Sequence, residues 1–327
     1  MHFTGRHRGS GAAALISAAA LPLLFPHAAH AGPGASGQEQ AVVVCTSPTH
    51  QPLATRLARE LVQDQEGDLE TLSLAVWDQR TGLGCTQRPD RHYDSASVVK
   101  VTVMGAVLRR AQEEGRPLTP EETEDLRLMI TVSDNDATTR QWNSLGRERL
   151  QRFLNLAGMT DTVLGTSWGL TQVTAADEMR QLNVFTVDPD VLTPANKQYG
   201  RTLMSQVVPS QRWGAPYGAP SDVHVEVKNG WLQRATHGWR VHSLGIFSSP
   251  DDLYQMTFLS QDDPTMSYGI NVIQKLAWRI HRTLNTAPGH ENGTTLPFED
   301  GYQGSEVSDG SEVDGNRPPG GAAPARP

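Results

Sequence analysis

Residues 91–100 read RHYDSASVVK, and the last four of them place a lysine, Lys100, three positions after a serine, Ser97. Residues 98–108 are apolar on nearly all sides, which predicts a helix buried at the centre of a domain. Ser97 and Lys100 would then share one face of the first turn, where unpaired backbone N–H groups favour negative charge. A neighbouring lysine can assist removal of the serine proton, so the pair is a candidate nucleophile and base. The alternative is two ordinary residues at a helix start.

Segments on both sides of this helix predict a mixed fold. Helical periodicity or capping signals occur at about 51–64, 120–132, 136–144, 147–157, after Thr174, at 194–208 and at 267–284. Alternating segments, typical of strands, occur twice within residues 71–89 and three times after Pro220. We therefore predict an α/β (α+β) domain with a five-stranded antiparallel sheet flanked by helices, plus an all-helical lobe. A cleft is expected where the sheet and the lobe meet.

The two ends of the chain differ in composition from this central domain. Residues 1–31 combine a basic start, a short apolar stretch and the small-x-small pattern Ala29-His30-Ala31, which predicts an export signal cleaved after Ala31. An uncleaved membrane anchor is the alternative. Residues 32–49 are interpreted as a linker and residues 50–284 as the folded domain. Residues 285–327 are acidic and rich in glycine and proline, so we expect disorder there.

The composition restricts both partners and compartment. The net charge of −8 and the lack of a basic block argue against nucleic-acid binding. No apolar stretch after the first 31 residues is long enough to span a membrane, so we expect a secreted or extracytoplasmic protein, acting as a monomer. In such a chain the two cysteines, Cys45 and Cys85, are expected to form one disulfide that contributes about 3–4 kcal/mol by loop entropy. Two buried free thiols are the alternative.

Two further short motifs follow the Ser-x-x-Lys pair. Ser133-Asp134-Asn135 lies between two predicted helices, where it can present a hydroxyl and an amide to the cleft or simply cap the second helix. Lys228-Asn229-Gly230 lies on a predicted strand before Trp231. Its glycine allows a ligand to approach the strand closely, although Asn-Gly is also a strong hairpin signal. Each motif alone is weak evidence for a site.

In this order, and on a helix start, an inter-helix loop and a strand, the three motifs resemble those of the penicillin-recognising serine enzymes. This family comprises the class A β-lactamases, the D-Ala-D-Ala peptidases and the penicillin-binding proteins. The resemblance covers about residues 50–284. It implies that Ser97 is the acylated nucleophile, that Lys100 accepts its proton, and that Ser133 relays a proton to the leaving nitrogen.

The resemblance also implies a set of substrate-binding residues. Asn135 would hold a substrate amide, and Lys228 would add positive potential for a substrate carboxylate. The backbone N–H groups of Ser97 and Trp231 would form the oxyanion hole. Arg240, on the following strand, is a candidate second carboxylate anchor, or else an exposed strand-edge arginine. The full predicted set is Asn135, Lys228, Asn229, Gly230, Trp231 and Arg240.

The chain departs from the class A pattern in the region that supports hydrolysis of the acyl-enzyme. Class A enzymes carry a Glu-x-x-Leu-Asn loop whose glutamate activates water, and residues 159–182 contain no such sequence. The first glutamate there, Glu178, lies within the next predicted helix. Asn229 stands where threonine or serine is usual, and the interval from Ser97 to Ser133 is short. We therefore expect acylation to survive better than antibiotic turnover.

Two other site chemistries are weighed against this interpretation. Residues 165–169, GTSWG, match the G-x-S-x-G elbow of α/β-hydrolases, with Asp222 and His237 as candidate triad partners, although strands alternating with helices are missing. His224, His237 and His242 lie on neighbouring predicted strands but lack tight metal-ligand spacing. No metal and no cofactor are therefore expected.

The sequence predicts an exported serine hydrolase that forms an acyl-serine with β-lactams or with D-Ala-D-Ala-like cell-wall peptides and deacylates slowly. The substrate is thus a small molecule or a peptide. The alternative is a catalytically weak or inactive module that binds penicillin or cell-wall peptide, and the missing glutamate favours it. The intact Ser97, Lys100, Ser133 and Lys228 argue against that alternative.

Overall fold

The computed structural model describes residues 43–65, 71–285 and 307–311. The predicted export signal, most of the predicted linker and most of the acidic tail lie outside these ranges. None of the helices in the described ranges is both long enough and apolar enough to cross a membrane.

The central element is an antiparallel sheet of six strands in the order β1-β3-β2-β8-β7-β6. Its strands are β1 (Val44–Thr46), β2 (Leu72–Asp78), β3 (Leu83–Gln87), β6 (His224–Gln233), β7 (Trp239–Ser248) and β8 (Leu253–Asp263). A separate two-stranded ribbon pairs β4 (Tyr93–Asp94) with β5 (Gln172–Val173). The prediction of an antiparallel sheet is confirmed, but five strands was one too few. The missing strand, β1, lies in the segment interpreted as a linker and pairs with β3.

Seven helices complete the described fold: α1 (Gln51–Asp64), α2 (Val99–Glu113), α3 (Pro120–Thr131), α4 (Asn135–Leu156), α5 (Ala175–Phe185), α6 (Pro194–Ser205) and α7 (Met266–Asn285). Helices α1 and α7 share an apolar core with one face of the sheet, which includes Leu57, Phe258 and Ile273. Helices α2 to α6 form a second core with the other face. The sheet therefore lies between two cores, as the predicted arrangement of terminal helices and a helical lobe requires.

Helix α2 lies at the centre of the helical lobe. Twelve of its fifteen residues are buried, including Lys100, in agreement with the predicted all-round apolar pattern. Gly105 allows close packing here, because a Cβ atom at this position would overlap the ring of Phe153 on α4. The position of α2 fixes the segment that carries Ser97 at the boundary between lobe and sheet.

Local signals in the sequence account for the helix boundaries around the cleft. Thr119 and Glu122 exchange side-chain and backbone hydrogen bonds in a capping box that begins α3. Helix α4 is interrupted at Gly146, whose φ of 66° is left-handed, and this break separates the two helices predicted at 136–144 and 147–157.

Cys45 and Cys85 form a disulfide, as predicted. The two residues are directly opposite each other in the β1–β3 pair, and 40 residues separate them along the chain. The closed loop contains α1 and β2, so the bond restricts the N-terminal part of the unfolded chain. A loop of this length corresponds to about 4 kcal/mol on the loop-entropy model.

Replacement of both cysteines, Cys45→Ala with Cys85→Ala, tests this contribution. We expect the free energy of unfolding to fall by about 2–4 kcal/mol, because the unfolded chain regains the entropy of the open loop. Urea denaturation of the oxidised wild type and the double variant measures the difference. Equal midpoints and equal slopes for the two proteins would contradict the expectation.

Candidate active site

Ser97 lies in a 3-10 turn, Ala96–Val98, that leads directly into α2. The residue is fully buried, and its Oγ has no hydrogen-bond partner among the described residues. Ala96 has a φ of 46°, in the left-handed region where alanine is strained. The turn therefore holds an unpaired hydroxyl in a backbone conformation that the surrounding packing must maintain.

Strand β6 passes directly against this turn. A Cβ atom added to Gly230 would lie 2.7 Å from the backbone nitrogen of Ser97 and 2.9 Å from that of Val98. A distance this short to rigid backbone leaves no room for any side chain. Gly230 therefore allows the backbone of β6, including the next residue Trp231, to lie beside the Ser97 amide. This places the two N–H groups of the expected oxyanion hole on adjoining segments.

Lys100 is fully buried one turn beyond Ser97 and makes three hydrogen bonds from its Nζ. It donates to the carbonyl oxygen of Ser133 at 2.7 Å, to Ser133 Oγ at 3.0 Å, and to Asn135 Oδ1 at 2.7 Å. All three ammonium hydrogens are thus used. Lys100 therefore links the Ser-x-x-Lys turn to the loop between α3 and α4.

Lys228 reaches the same hydroxyl from β6. Its Nζ donates to Ser133 Oγ at 2.9 Å and to the carbonyl oxygen of Asn229 at 2.8 Å. Lys228 is also fully buried. Ser133 Oγ is therefore the point where the two buried lysines meet, and this convergence joins all three motifs in one site.

Burial controls the charge of both lysines. It lowers the pKa of Lys100 to about 8, with Asp309 and Asp134 opposing the shift. Burial also lowers the pKa of Lys228, and the nearby charge of Lys100 lowers it further, again against Asp309. A substantial fraction of neutral amine is therefore available in the mildly alkaline range, which a base that accepts the serine proton requires.

The Ser133-Asp134-Asn135 loop combines the two interpretations of its sequence. Asp134 caps α4, because its Oδ1 accepts a hydrogen bond of 2.8 Å from the backbone nitrogen of Ala137. Ser133, with a left-handed φ of 60°, and Asn135 turn toward Lys100. The same three residues thus begin a helix and present two side chains to the cleft.

Two of the predicted substrate-binding side chains are engaged elsewhere. Asn229 is buried, and its Nδ2 donates to the carbonyl oxygens of Gln211 and Trp213, each at 2.9 Å. Arg240 is buried, not exposed at the strand edge, and its guanidinium is 2.9 Å from the carboxylate of Asp94. Their direct roles in substrate binding stay predictions.

Asp94 connects Arg240 to the nucleophile segment. Its carboxylate also accepts a hydrogen bond from Arg234 at 2.8 Å, and its carbonyl oxygen lies 2.8 Å from Nε2 of buried His242. Asp94 is three residues before Ser97, so these contacts fix the chain that enters the turn. The sequence analysis missed Asp94, because its side-chain and backbone partners lie 78 to 148 residues away along the chain.

Trp168 is a second residue that the sequence analysis did not assign to this site. It is buried in the loop between α4 and α5, and its ring centroid lies 4.9 Å from Lys100 Nζ. Its Nε1 donates to Thr139 Oγ1 at 3.1 Å, which fixes the indole. From the region where class A enzymes carry their glutamate, this chain thus presents an aromatic ring to the lysine.

Glu178 lies in a separate buried network. Gln181 donates to its Oε2 at 2.6 Å and in turn accepts a hydrogen bond from Thr102 on α2. Burial, and then the charge of Asp177, raise the pKa of Glu178 to about 8, so the carboxyl is mostly protonated at neutral pH. Its Oε1 has no partner among the described residues.

The described residues form neither of the two alternative sites, the α/β-hydrolase triad and the histidine metal site. Residues 165–169 run into a 3-10 turn, Trp168–Leu170, and then the short strand β5. Because no helix follows directly and the main sheet is antiparallel, the nucleophile elbow of α/β-hydrolases is not formed. Ser167 Oγ donates to the carbonyl oxygen of Ser311, and exposed His237 pairs with Asp262. Within the described ranges, no three His, Cys, Asp or Glu side chains are grouped to hold a metal ion.

Comparison with known proteins agrees with the motifs and the fold. A model of a family described as the β-lactamase enzyme family matches residues 122–284, and the similar solved structures include class A β-lactamases. Residues 122–284 thus match the β-lactamase enzyme family, and the fold is that of the class A β-lactamases. The matched residues include Ser133 and Lys228, and Ser97 lies before them.

Two of the similar solved structures match this chain over nearly their whole length. A class A β-lactamase from Bacteroides cellulosilyticus has a TM-score of 0.62 at 15% identity, covering 71% of this chain and 98% of that one. A variant of PBP-A, solved as an acyl-enzyme complex with penicillin G, has a TM-score of 0.58 at 18% identity, covering 69% and 96%. At these identities the likeness shows the fold alone.

The curated relatives match over part of their length. The protein named "Putative lipoprotein LppW" of Mycobacterium tuberculosis is 25% identical over 220 residues. The match covers 60% of this chain and 65% of LppW, and the protein of the same name in Mycobacterium bovis matches equally. The chain therefore aligns with about two thirds of the length of these relatives.

Gly230→Ala tests the close approach of β6 to the nucleophile turn. Because the new methyl group would collide with the Ser97 and Val98 amides, we expect covalent labelling by a fluorescent penicillin to slow by about 100-fold or more. The matched control is Gly84→Ala on β3, where an added Cβ meets nothing within 4 Å. Equal labelling rates for both variants and the wild type would contradict this geometry.

Proposed function

We propose that this class A β-lactamase-like protein is a serine hydrolase that forms an acyl-serine at Ser97. Its substrates are β-lactams or the D-Ala-D-Ala-like cell-wall peptides that β-lactams resemble. One observation supports this function above the others, namely the meeting of Lys100 and Lys228 at Ser133 Oγ, beside Ser97 and β6. The penicillin G acyl-enzyme recorded for PBP-A, a protein of the same fold, is consistent with the proposal.

The chemistry assigned to these groups is a two-step acyl transfer. Neutral Lys100 accepts the proton of Ser97 Oγ as the oxygen attacks the substrate carbonyl carbon. The backbone N–H groups of Ser97 and Trp231 stabilise the resulting oxyanion. Ser133 then passes its hydroxyl proton to the leaving nitrogen and regains one from Lys100, to which it is hydrogen-bonded, and this completes formation of the acyl-serine. Lys228 holds Ser133 Oγ in place through a second hydrogen bond.

Hydrolysis of the acyl-serine is proposed to be slow. The loop between α4 and α5 turns the indole of Trp168 toward Lys100, and an indole cannot take a proton from water. Glu178, the nearest glutamate in sequence to that loop, is buried and bonded to Gln181. Neither Trp168 nor Glu178 therefore supplies the exposed carboxylate that activates the attacking water in class A enzymes.

A catalytically weak or inactive binding module is the second candidate. All three N–H groups of Lys100 are used on Ser133 and Asn135, and Ser97 Oγ has no partner among the described residues. A site fixed in this arrangement would bind a ligand without reacting. Acylation requires Lys100 to release one of these contacts and turn toward Ser97.

We also propose that the chain is exported. The predicted signal at residues 1–31 and the disulfide between Cys45 and Cys85 both favour an oxidising, extracytoplasmic compartment. The relative LppW is named as a lipoprotein, which is consistent with this location.

Intact-mass spectrometry after incubation with penicillin G tests the nucleophile. We expect the wild type to gain the mass of one penicillin and to keep it, while Ser97→Ala gains none. The matched control is Ser95→Ala, a buried serine two residues earlier, which should still be labelled. A labelled Ser97→Ala protein would remove the assignment, an unlabelled wild type would favour the binding module, and fast burst-free hydrolysis of a chromogenic cephalosporin would contradict slow deacylation.

A further inference from the structure

The cleft is occupied by a piece of the chain's own acidic tail. The structure describes residues 307–311, Val-Ser-Asp-Gly-Ser, of the tail that was predicted to be disordered. The residues that they contact include Trp231 and Asn135, which are 76 and 174 positions away along the chain. Asp309 N donates to the carbonyl oxygen of Trp231 at 3.1 Å, and Trp231 Nε1 donates to the carbonyl oxygen of Val307 at 2.8 Å. The segment thus adds to β6, the edge strand of the sheet, as a peptide ligand adds to a strand.

The side chain of Asp309 lies where the proposed chemistry places negative charge. Its Oδ2 is 3.5 Å from the backbone nitrogen of Trp231, one of the two expected oxyanion-hole donors. Its charge raises the pKa of both Lys100 and Lys228 against the larger effect of their burial. A carboxylate at this position is attracted by both lysines.

The backbone of the segment uses the group expected to hold a substrate amide. Asn135 Nδ2 donates to the carbonyl oxygen of Asp309 at 2.7 Å, while Asn135 Oδ1 accepts from Lys100. Asn135 and Trp231 are therefore both bonded to the tail, and both belong to the substrate-binding set predicted from the sequence.

The far end of the segment is held by a turn that fits the loop between α4 and α5. Asp309 Oδ1 accepts a hydrogen bond of 2.9 Å from Ser311 N, and Gly310 has a left-handed φ of 73°. Ser311 is fully buried, and a Cβ atom on Gly169 would overlap its carbonyl group. Gly169 therefore allows the backbone of the loop to touch that of Ser311.

We propose that the cleft is a binding site for an acidic peptide strand, and that residues 307–311 fill it in cis as a pseudosubstrate that incoming substrate must displace. This inference rests on the proposed function, because it names the group that competes for the same site. Asp309 presents a free carboxylate, which has no leaving group for Ser97 to expel. The segment therefore blocks the site without being consumed.

The variant Asp309→Asn in the full-length chain tests the proposal. It keeps the size of the side chain and removes the charge that faces the two lysines, so the tail should bind less tightly. We expect the second-order rate of labelling by a fluorescent penicillin to rise about tenfold, as expected for loss of a charge-assisted contact. The matched control, Asp300→Asn, removes the same charge from another Asp-Gly pair of the tail and should label at the wild-type rate.

A synthetic peptide of residues 305–311, SEVSDGS, gives a readout that does not depend on acylation. We expect isothermal titration calorimetry to show binding to the Asp309→Asn protein, with slower penicillin labelling in its presence, and neither effect from SEVSNGS. If the wild type and the two variants label at equal rates and SEVSDGS does not bind, the proposal is overturned although the acyl-serine function stands. If no protein is labelled, the proposed function fails, and SEVSDGS binding alone then supports or overturns the proposal.

Discussion

Two buried lysines that share one hydroxyl are the constraint on which the rest of this site depends. Lys100 and Lys228 both donate to Ser133 Oγ, at 3.0 and 2.9 Å, so their nitrogens are close together. Both side chains are fully buried. Two like charges about 6 Å apart repel by about 3 kcal/mol at an effective dielectric constant of 20. Loss of one proton relieves this repulsion. With its pKa lowered to about 8, Lys100 has a neutral fraction that can act as the base the serine requires.

The fold supplies the three rigid supports that hold this pair together. Lys100 is fixed by α2, packed against α4 through Gly105, and Lys228 is fixed by β6, whose Gly230 touches the Ser97 turn. Ser133 is fixed by the loop that Asp134 caps. Because each support belongs to a different element, the site exists only when the lobe and the sheet are docked. The negative charge of Asp309, in the tail, raises the pKa of both lysines and so opposes the effect of their burial.

The sequence predicted those parts of the molecule that local patterns control. The boundaries of α1 and α3, the buried character of α2 and the antiparallel sheet follow from periodicity and capping residues. Strand β1 was missed because three residues carry too little alternation to identify a strand. The three motifs predicted which side chains meet, but only their order along the chain, compared with a known family, indicated that they share a cleft.

The features that the sequence did not predict depend on contacts between residues far apart along the chain. The ion pair that holds Arg240 on Asp94 joins residues on separate strands, and no local pattern indicates it. Trp168 was noticed only as part of GTSWG, a motif of a different fold. Residues 307–311 have a composition typical of disorder, and they are ordered by contacts to Trp231, Asn135 and the loop at Gly169 instead of by a core of their own.

The protonation of the two site lysines is the most direct test of this account. The chain has four lysines, so replacing Lys197 and Lys275 with arginine leaves only Lys100 and Lys228 for nuclear magnetic resonance of 13C-labelled lysine. The account predicts that Lys100 titrates near pH 8 and that Lys228 also titrates well below the ordinary value of about 10.4. Two signals that both remain protonated up to pH 10 would contradict it.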